Sequence, residues 1–255
     1  MKSGDVILKV DDVEYKGEDI DACSSALKSE EGTIAKLEIL RDGQILNIDV
    51  ERKTIKVNHI ETQIIDNKIA YMDIATFDDG CYEEFAEKWE AIRQNNSNIT
   101  GLIIDLRNNG GGIVTEATDI ADMMTNKDKT LLVIEGKNEQ EEVVKAKTDK
   151  IINIPIVILV NGETASASEI LTAAVKENNE NVTIVGTKTY GKGIIQTIYT
   201  LTDGSGLKLT TNEYYTPNGN SIHKIGITPD YEVEFPEGKT KYTIEQKDDT
   251  QLQKA

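Results

Sequence analysis

The hydrophobic pattern at the start of the chain predicts a small unit of strands and one helix. Residues 5–10 and 33–40 are rich in apolar and β-branched side chains, which predicts two strands. Between them, residues 18–29 carry apolar side chains near helical spacing. Asp-Gly at the centre of residues 41–44 predicts a hairpin turn, after which residues 45–51 return as a strand.

From residue 69 onward the pattern alternates between strands and helices, which indicates an α/β architecture. Strands are predicted at 69–75, 101–106, 131–135, 142–147, 155–160, 182–185, 193–200 and 207–214, and helices at 81–95, 113–125 and 166–177. Residues 155–160 are almost continuously apolar, which is typical of a strand in a sheet covered on both faces. The residues from about 239 to the end are polar and predict a frayed tail.

Composition supports a folded protein and disfavours some functions. Of the 255 residues, 38% are hydrophobic and 29% are charged, which is enough for a sizeable core. The net charge of −17 would repel phosphate and argues against a nucleic-acid-binding protein, and its simplest explanation is a solvated surface. The two cysteines, Cys23 and Cys81, fit no metal motif and are expected to be free. No apolar run approaches the roughly 20 residues that a membrane helix needs.

A run of small residues, NGETASASEI at 161–170, lies between a buried strand and a predicted helix. Small residues allow the backbone of a substrate to approach closely. A serine at this position, Ser166, lies near the unpaired N–H groups of the helix, and such groups can stabilise an oxyanion. Ser166 and Glu169 also form a capping-box pattern, in which the serine would serve only as an N-cap. This stretch alone favours the cap.

The sequence TYGKG at 189–193 places Lys192 between two glycines, 26 residues after Ser166. A lysine desolvated at the entrance of a buried strand has a lowered pKa and can act as a general base. A Ser–Lys pair requires such a lysine within hydrogen-bonding reach of the hydroxyl. The alternative for a lone lysine is a surface charge. The region also imitates a P-loop, but Gly193 stands where a P-loop needs Ser or Thr, and a strand pattern follows.

A third motif, DLRNNGGG at 105–112, leaves a buried strand, turns on three glycines and precedes a predicted helix. Such a turn can direct backbone N–H groups into a cleft. An ordinary glycine-rich turn between a strand and a helix fits the pattern equally well.

These three motifs occur in an order and spacing that resemble the C-terminal (tail-specific) processing peptidases, and the sequence YTPNGNSIHKIGITPD near the end resembles the same family. The similarity covers roughly residues 3–232 and implies an α/β fold, a crotonase-like peptidase core with a mixed sheet. The sequences SGDVILKVDDVEYKGEDIDAC and EGTIAKLEILRDGQ resemble the C-terminal half of a PDZ domain. The predicted organisation is a partial PDZ-like domain at 1–53, a Ser-Lys peptidase core at 54–238 and a polar tail at 239–255.

The resemblance also implies roles for individual residues. Ser166 resembles the nucleophile, Lys192 its general base, and Gln196 the side chain that orients the lysine. Strand alternation places Lys192 and Gln196 on one face, which is consistent with that role. The N–H groups of Gly112 and Ala167 resemble the oxyanion hole. The mechanism implied needs no metal or organic cofactor.

The resemblance implies protein or peptide substrates with exposed, unstructured C-termini, processed outside the cytoplasm. The full-length protein would then carry a signal or membrane anchor upstream. The peptide-binding strand of a PDZ domain would also precede Gly4, so we expect a longer protein, or a groove completed by a neighbouring chain. The two histidines, His59 and His223, lie outside the three motifs and are expected to be dispensable.

Two other functions remain open at this point. One is a binding module that holds protein tails without hydrolysis, which the intact Ser–Lys–Gln set argues against. The other is an acyl-thioester enzyme of the crotonase type, which would need an oxyanion hole but no Ser–Lys pair. Thermal shift with a panel of acyl-CoA compounds would distinguish the second case.

Overall fold

The computed structural model describes residues 1–2, 4–17, 19–41, 43–53, 58–136 and 141–255. The chain forms two compact units, Met1–Val57 and Asn58–Ala255. Residues 54–57, Glu18 of the predicted helix and Asp42 of the predicted hairpin lie outside the described residues. In the part of the chain that is described, no helix is both long and apolar enough to cross a membrane.

The first unit contains a four-stranded antiparallel sheet and one helix, as its hydrophobic pattern predicts. Its elements are β1 (Val6–Val10), β2 (Val13–Glu14), α1 (Ile20–Leu27), β3 (Ile34–Arg41) and β4 (Gln44–Glu51). The strand order is β2-β1-β3-β4. Alternate residues of β3, namely Ala35, Leu37 and Ile39, form the buried core with Val10 of β1. Strand β2 was not predicted, because two residues are too few to show alternation.

The second unit follows the predicted alternation of strands and helices closely. Its elements are β5 (Ile60–Ile65), β6 (Ile69–Ile74), α2 (Cys81–Asn95), β7 (Gly101–Asp105), α3 (Val114–Asp122), β8 (Thr130–Gly136), β9 (Glu141–Lys145), β10 (Ile156–Val160), α4 (Ala167–Asn178), β11 (Val182–Gly186), β12 (Ile194–Thr200), β13 (Gly206–Tyr215), β14 (Tyr231–Glu232), a 3-10 turn (Gln246–Asp248) and α5 (Thr250–Lys254). The sequence pattern missed β5, β14 and the elements after residue 239.

A six-stranded sheet with the order β14-β11-β10-β7-β6-β5 forms the centre of this unit. All its pairs are parallel except β5 with β6, so the predicted mixed sheet is confirmed. Successive residues of β10 pack on opposite faces: Ile158 belongs to one buried cluster and Leu159 to another. The carboxyl ends of the neighbouring strands β7 and β10 lead into residues 105–112 and 161–166. Two of the three motifs therefore meet at one edge of the sheet, where open α/β sheets place their ligand sites.

A second, antiparallel sheet has the order β12-β13-β8-β9. Its core side chains Leu132 and Tyr214 pack against Ile170 of α4. Strand β12 begins two residues after Lys192. A strand therefore follows the glycine–lysine motif, where a P-loop would continue into a helix.

The C-terminal segment is folded against the central sheet of the second unit, so the prediction of a frayed tail is wrong. Asp249 and Gln251 are 4% and 0% exposed. Leu252 packs on the buried cluster that covers one face of the central sheet. Polar composition misled the prediction, because these polar side chains are buried as hydrogen-bond partners of an arginine in the core.

Candidate active site

Ser166 immediately precedes helix α4 in a strained backbone conformation. Its φ is 57° and its ψ is −119°. An N-cap residue normally has an extended backbone, and a positive φ costs a non-glycine residue about 1–3 kcal/mol. The capping box with Glu169 is present. A cap would not require this strain, however, and strained residues of this kind cluster at functional sites.

Two backbone N–H groups next to Ser166 are left without a partner. Neither Gly112 N nor Ala167 N donates a hydrogen bond within the described residues. The two segments that carry them are in close contact, because a Cβ added to Gly111 would lie 2.8 Å from Ser166 Cβ and 2.9 Å from Ala167 N. The structure thus brings together Ser166 and the two residues predicted to form the oxyanion hole.

Asn109 holds the glycine loop against the turn that carries Ser166. Its carbonyl oxygen accepts from Ala165 N at 3.1 Å and from Ser168 Oγ at 3.0 Å. Its side-chain oxygen accepts from Gly111 N at 2.9 Å. Asn109 is fully buried, so these bonds fix the position of the two loops relative to each other.

Lys192 lies on a tightly packed loop, but the structure does not join its side chain to Ser166. Gly193 packs so closely on His223 that an added Cβ would lie 2.6 Å from the backbone nitrogen of that residue. The lysine is half-buried, whereas the sequence predicted a buried one. Among the described residues no hydrogen bond links Lys192 Nζ with Ser166 Oγ, and such bonds are often long until substrate is bound.

Gln196 is not brought to Lys192. It is exposed on β12, and its Nε2 donates to Thr210 Oγ1 at 3.5 Å. The register of β12 with β13 shifts between Ile195 and Gln196. Its orienting role therefore stays a prediction.

Glu169 joins the loop of the lysine to the turn of the serine. Its carboxylate is fully buried. One oxygen, Oε2, accepts from Ser166 N at 3.0 Å and from Lys192 N at 2.9 Å. The other, Oε1, accepts from Thr189 Oγ1 at 2.5 Å and from Gly191 N at 2.8 Å. The sequence indicates Glu169 only as a partner in the capping box, since nothing local shows that it also binds residues 20 or more positions away.

Behind the glycine loop, Arg107 is buried between two carboxylates. Its Nη2 lies 2.5 Å from Asp105 Oδ2, and its Nη1 lies 2.9 Å from Asp249 Oδ2. Burial alone would raise the pKa of Asp105, but the hydrogen bond and charge of Arg107 outweigh it and hold the pKa below its usual value. Lys241 Nζ pairs with Asp73 at 2.7 Å and donates to the Arg107 carbonyl at 3.2 Å. The C-terminal segment thus anchors the residues that lead into the glycine loop.

The two histidines occupy different surroundings. His59 Nδ1 lies 3.0 Å from Glu84 Oε2, where β5 begins. His223 packs against Gly193, and its Nδ1 is buried without a hydrogen-bond partner among the described residues. Their dispensability stays a prediction.

Residues 68–233 match the family described as Peptidase family S41. The chain belongs to this family. The matched range contains the three motifs and every residue predicted for the site. Carboxy-terminal processing protease CtpA of Bacillus subtilis is 35% identical over 239 residues, covering 93% of this chain and 50% of that protein. A carboxyl-terminal-processing protease of Synechocystis is 34% identical over 245 residues, covering 92% of this chain and 56% of that protein.

Solved structures agree with this assignment. The photosystem II D1 C-terminal processing protease superposes with a TM-score of 0.63 at 28% identity, covering 92% of this chain and 65% of that one. An S41 protease from Bacteroides fragilis shares the fold, with a TM-score of 0.61 at 17% identity, covering 100% of this chain and 72% of that one. The S41 chain spans about half the length of the curated relatives it matches.

Proposed function

We propose that this S41 chain carries the catalytic site of a serine peptidase that cleaves near the exposed C-termini of unstructured proteins. The observation that carries the proposal is the strained Ser166 beside two unpaired backbone N–H groups. That arrangement suits a nucleophile whose tetrahedral intermediate develops negative charge next to it. The names of the relatives support carboxyl-terminal processing as the reaction.

The reaction begins when Lys192, as the neutral amine, takes the proton of the Ser166 hydroxyl. The serine oxygen then forms a bond to the substrate carbonyl carbon, and the N–H groups of Gly112 and Ala167 stabilise the resulting oxyanion. As the C–N bond breaks, Lys192 returns the proton to the leaving amine. A water molecule, activated by the same lysine, hydrolyses the acyl-enzyme and restores Ser166. Gln196 is proposed to orient the lysine in the complex with substrate.

Two features of the whole protein follow from the same proposal. The first unit would form part of a PDZ-like domain that presents substrate tails, with its sheet and helix α1 as the remaining elements. The full-length protein would act outside the cytoplasm, in keeping with the processing proteases that it resembles.

The proposal is tested by cleavage of an unstructured peptide with a free apolar C-terminus, with products identified by mass spectrometry. The parent chain is expected to cleave, whereas Ser166→Ala and Lys192→Ala are expected to lose cleavage. Lys188→Ala is the matched control, because Lys188 is exposed on the same loop. Equal cleavage by all four proteins would reject the assignment, and binding without cleavage by the parent would favour the binding module.

A further inference from the structure

Two buried side chains, Glu169 and Tyr214, hydrogen-bond to the backbone of the proposed base Lys192, and Glu169 also bonds to the backbone of Ser166. Glu169 accepts hydrogen bonds from Ser166 N and Lys192 N through the same oxygen. From the other side, the Tyr214 hydroxyl donates to the Lys192 carbonyl. Tyr214 is 1% exposed. Hydrogen bonds therefore run from Ser166 through Glu169 and Lys192 to Tyr214.

We propose that Glu169 and Tyr214 are positioning residues that clamp the backbone of Lys192 next to Ser166. The inference rests on the proposed function, because it concerns the same serine and lysine. Glu169 accepts a hydrogen bond from the N–H of Lys192, and Tyr214 donates one to its C=O. The peptide groups on both sides of the lysine are thus held, while its side chain stays free to move toward the hydroxyl.

The loop needs such a clamp because Lys192 is flanked by Gly191 and Gly193. Glycine adds backbone freedom, and an unheld lysine would sample many positions. A misplacement of about 1 Å can cost about 100-fold in rate. The clamp is also well anchored, because the second oxygen of Glu169 binds Thr189 Oγ1 and Gly191 N.

The chemistry of the clamp makes it sensitive to small changes. All four groups that face the Glu169 carboxylate are hydrogen-bond donors. A glutamine there would turn an N–H group toward donors and leave them unpaired in the interior. Tyr214→Phe removes only the hydroxyl and leaves the ring in its buried site. The sheet core that this ring fills, with Leu132 and Ile170, is therefore kept.

The first test measures amide hydrogen exchange on the full chain, without substrate. In Tyr214→Phe and Glu169→Gln, the peptide that contains Lys192 is expected to exchange at least about tenfold faster than in the parent. Tyr214→Phe removes the donor to the Lys192 C=O, and Glu169→Gln weakens the acceptor of its N–H, so each variant loosens the segment. Tyr215→Phe is the matched control, since that neighbouring hydroxyl contacts Glu213. Unchanged exchange at Lys192 in Tyr214→Phe would overturn the proposal, even if Glu169→Gln failed to fold.

The second test separates positioning from binding in peptide cleavage. Tyr214→Phe is expected to lower kcat by about 10–100-fold with KM changed less than about twofold, because the hydroxyl positions the base and does not hold substrate. The effects of Tyr214→Phe and Glu169→Gln should combine to less than their product, because both hold one peptide segment. A parent-like kcat in Tyr214→Phe would overturn the clamp while leaving the peptidase intact. If the parent itself does not cleave, the proposed function fails and the exchange result alone decides on the clamp.

Discussion

At the scale of single residues, the backbone of Ser166 is the feature that departs most from ordinary helix starts. Its φ of 57° with ψ of −119° is the mirror image of an extended conformation, which glycine adopts readily and other residues avoid. In this chain a serine occupies the position despite the strain. This strain supports the proposal that the hydroxyl has a function that a glycine could not supply.

This strain can be measured by comparing Ser166→Gly with Ser166→Ala. Both variants lose the hydroxyl and should lose cleavage. Ser166→Gly is expected to be more stable by about 1 kcal/mol, because only the alanine variant keeps a Cβ in the strained conformation. Urea unfolding followed by circular dichroism measures the difference. Ala91, which is exposed on helix α2, is the control: there glycine should be less stable than alanine by about 1 kcal/mol. If alanine were more stable than glycine at position 166 as well, strain at Ser166 would be ruled out.

The glycine loop gives a second prediction at this scale. Gly111 has φ +100°, and a Cβ would lie 2.7 Å from the Ala165 carbonyl oxygen. Gly111→Ala should therefore displace the loop and lower cleavage by at least about 100-fold, since the oxyanion donors would move. Gly110→Ala is the control, because nothing lies within 4 Å of its Cβ position. Parent-like cleavage by Gly111→Ala would contradict the close packing of the two loops.

Local sequence motifs predicted the site residues that lie within them. They did not indicate Glu169 or Tyr214, whose partners are far away in the chain. Ser166, Gly112 and Ala167 lie together as expected, because their motifs follow adjacent parallel strands. Glu169 binds the loop at 189–192 across the fold, and Tyr214 lies in a strand whose pattern shows only that it is buried. No periodicity or local motif reports such partners.

At the scale of elements, the C-terminal segment is the main departure from the sequence-based picture. Hydrophobic periodicity located the helices α2, α3 and α4 because each buries one apolar stripe. The segment after residue 239 has no such stripe. It is held by polar contacts to Arg107 and Asp73, and a polar sequence gives no sign that its partners are buried.

Removal of one of these contacts should therefore destabilise the second unit as a whole and not only its C-terminal segment. Asp249→Ala is expected to lower the free energy of unfolding by about 3 kcal/mol, because it leaves Arg107 without one of its two buried carboxylates. The adjacent exposed Asp248→Ala should change it by less than about 0.5 kcal/mol. Urea unfolding of both variants is the measurement, and equal stabilities would show that the segment adds nothing to the fold of the second unit.

At the scale of the whole molecule, every residue of the proposed site belongs to the second compact unit, Asn58–Ala255. The two units have separate cores, and that of the first contains none of the site residues. The reactivity proposed for Ser166 is therefore expected to be a property of the second unit. Capture of a substrate tail stays a prediction, and this chain spans about half the length of the curated relatives it matches.

The most direct test of the central claim is the site at which a fluorophosphonate reacts with the intact chain. Such a reagent forms a covalent bond with an activated serine and needs no peptide substrate. We predict a single adduct on Ser166, found by mass spectrometry of the digested protein, with a rate that falls by at least about 100-fold in Lys192→Ala and stays unchanged in Lys188→Ala. An adduct on another serine, or labelling of Ser166 at the same rate without Lys192, would contradict the Ser–Lys assignment.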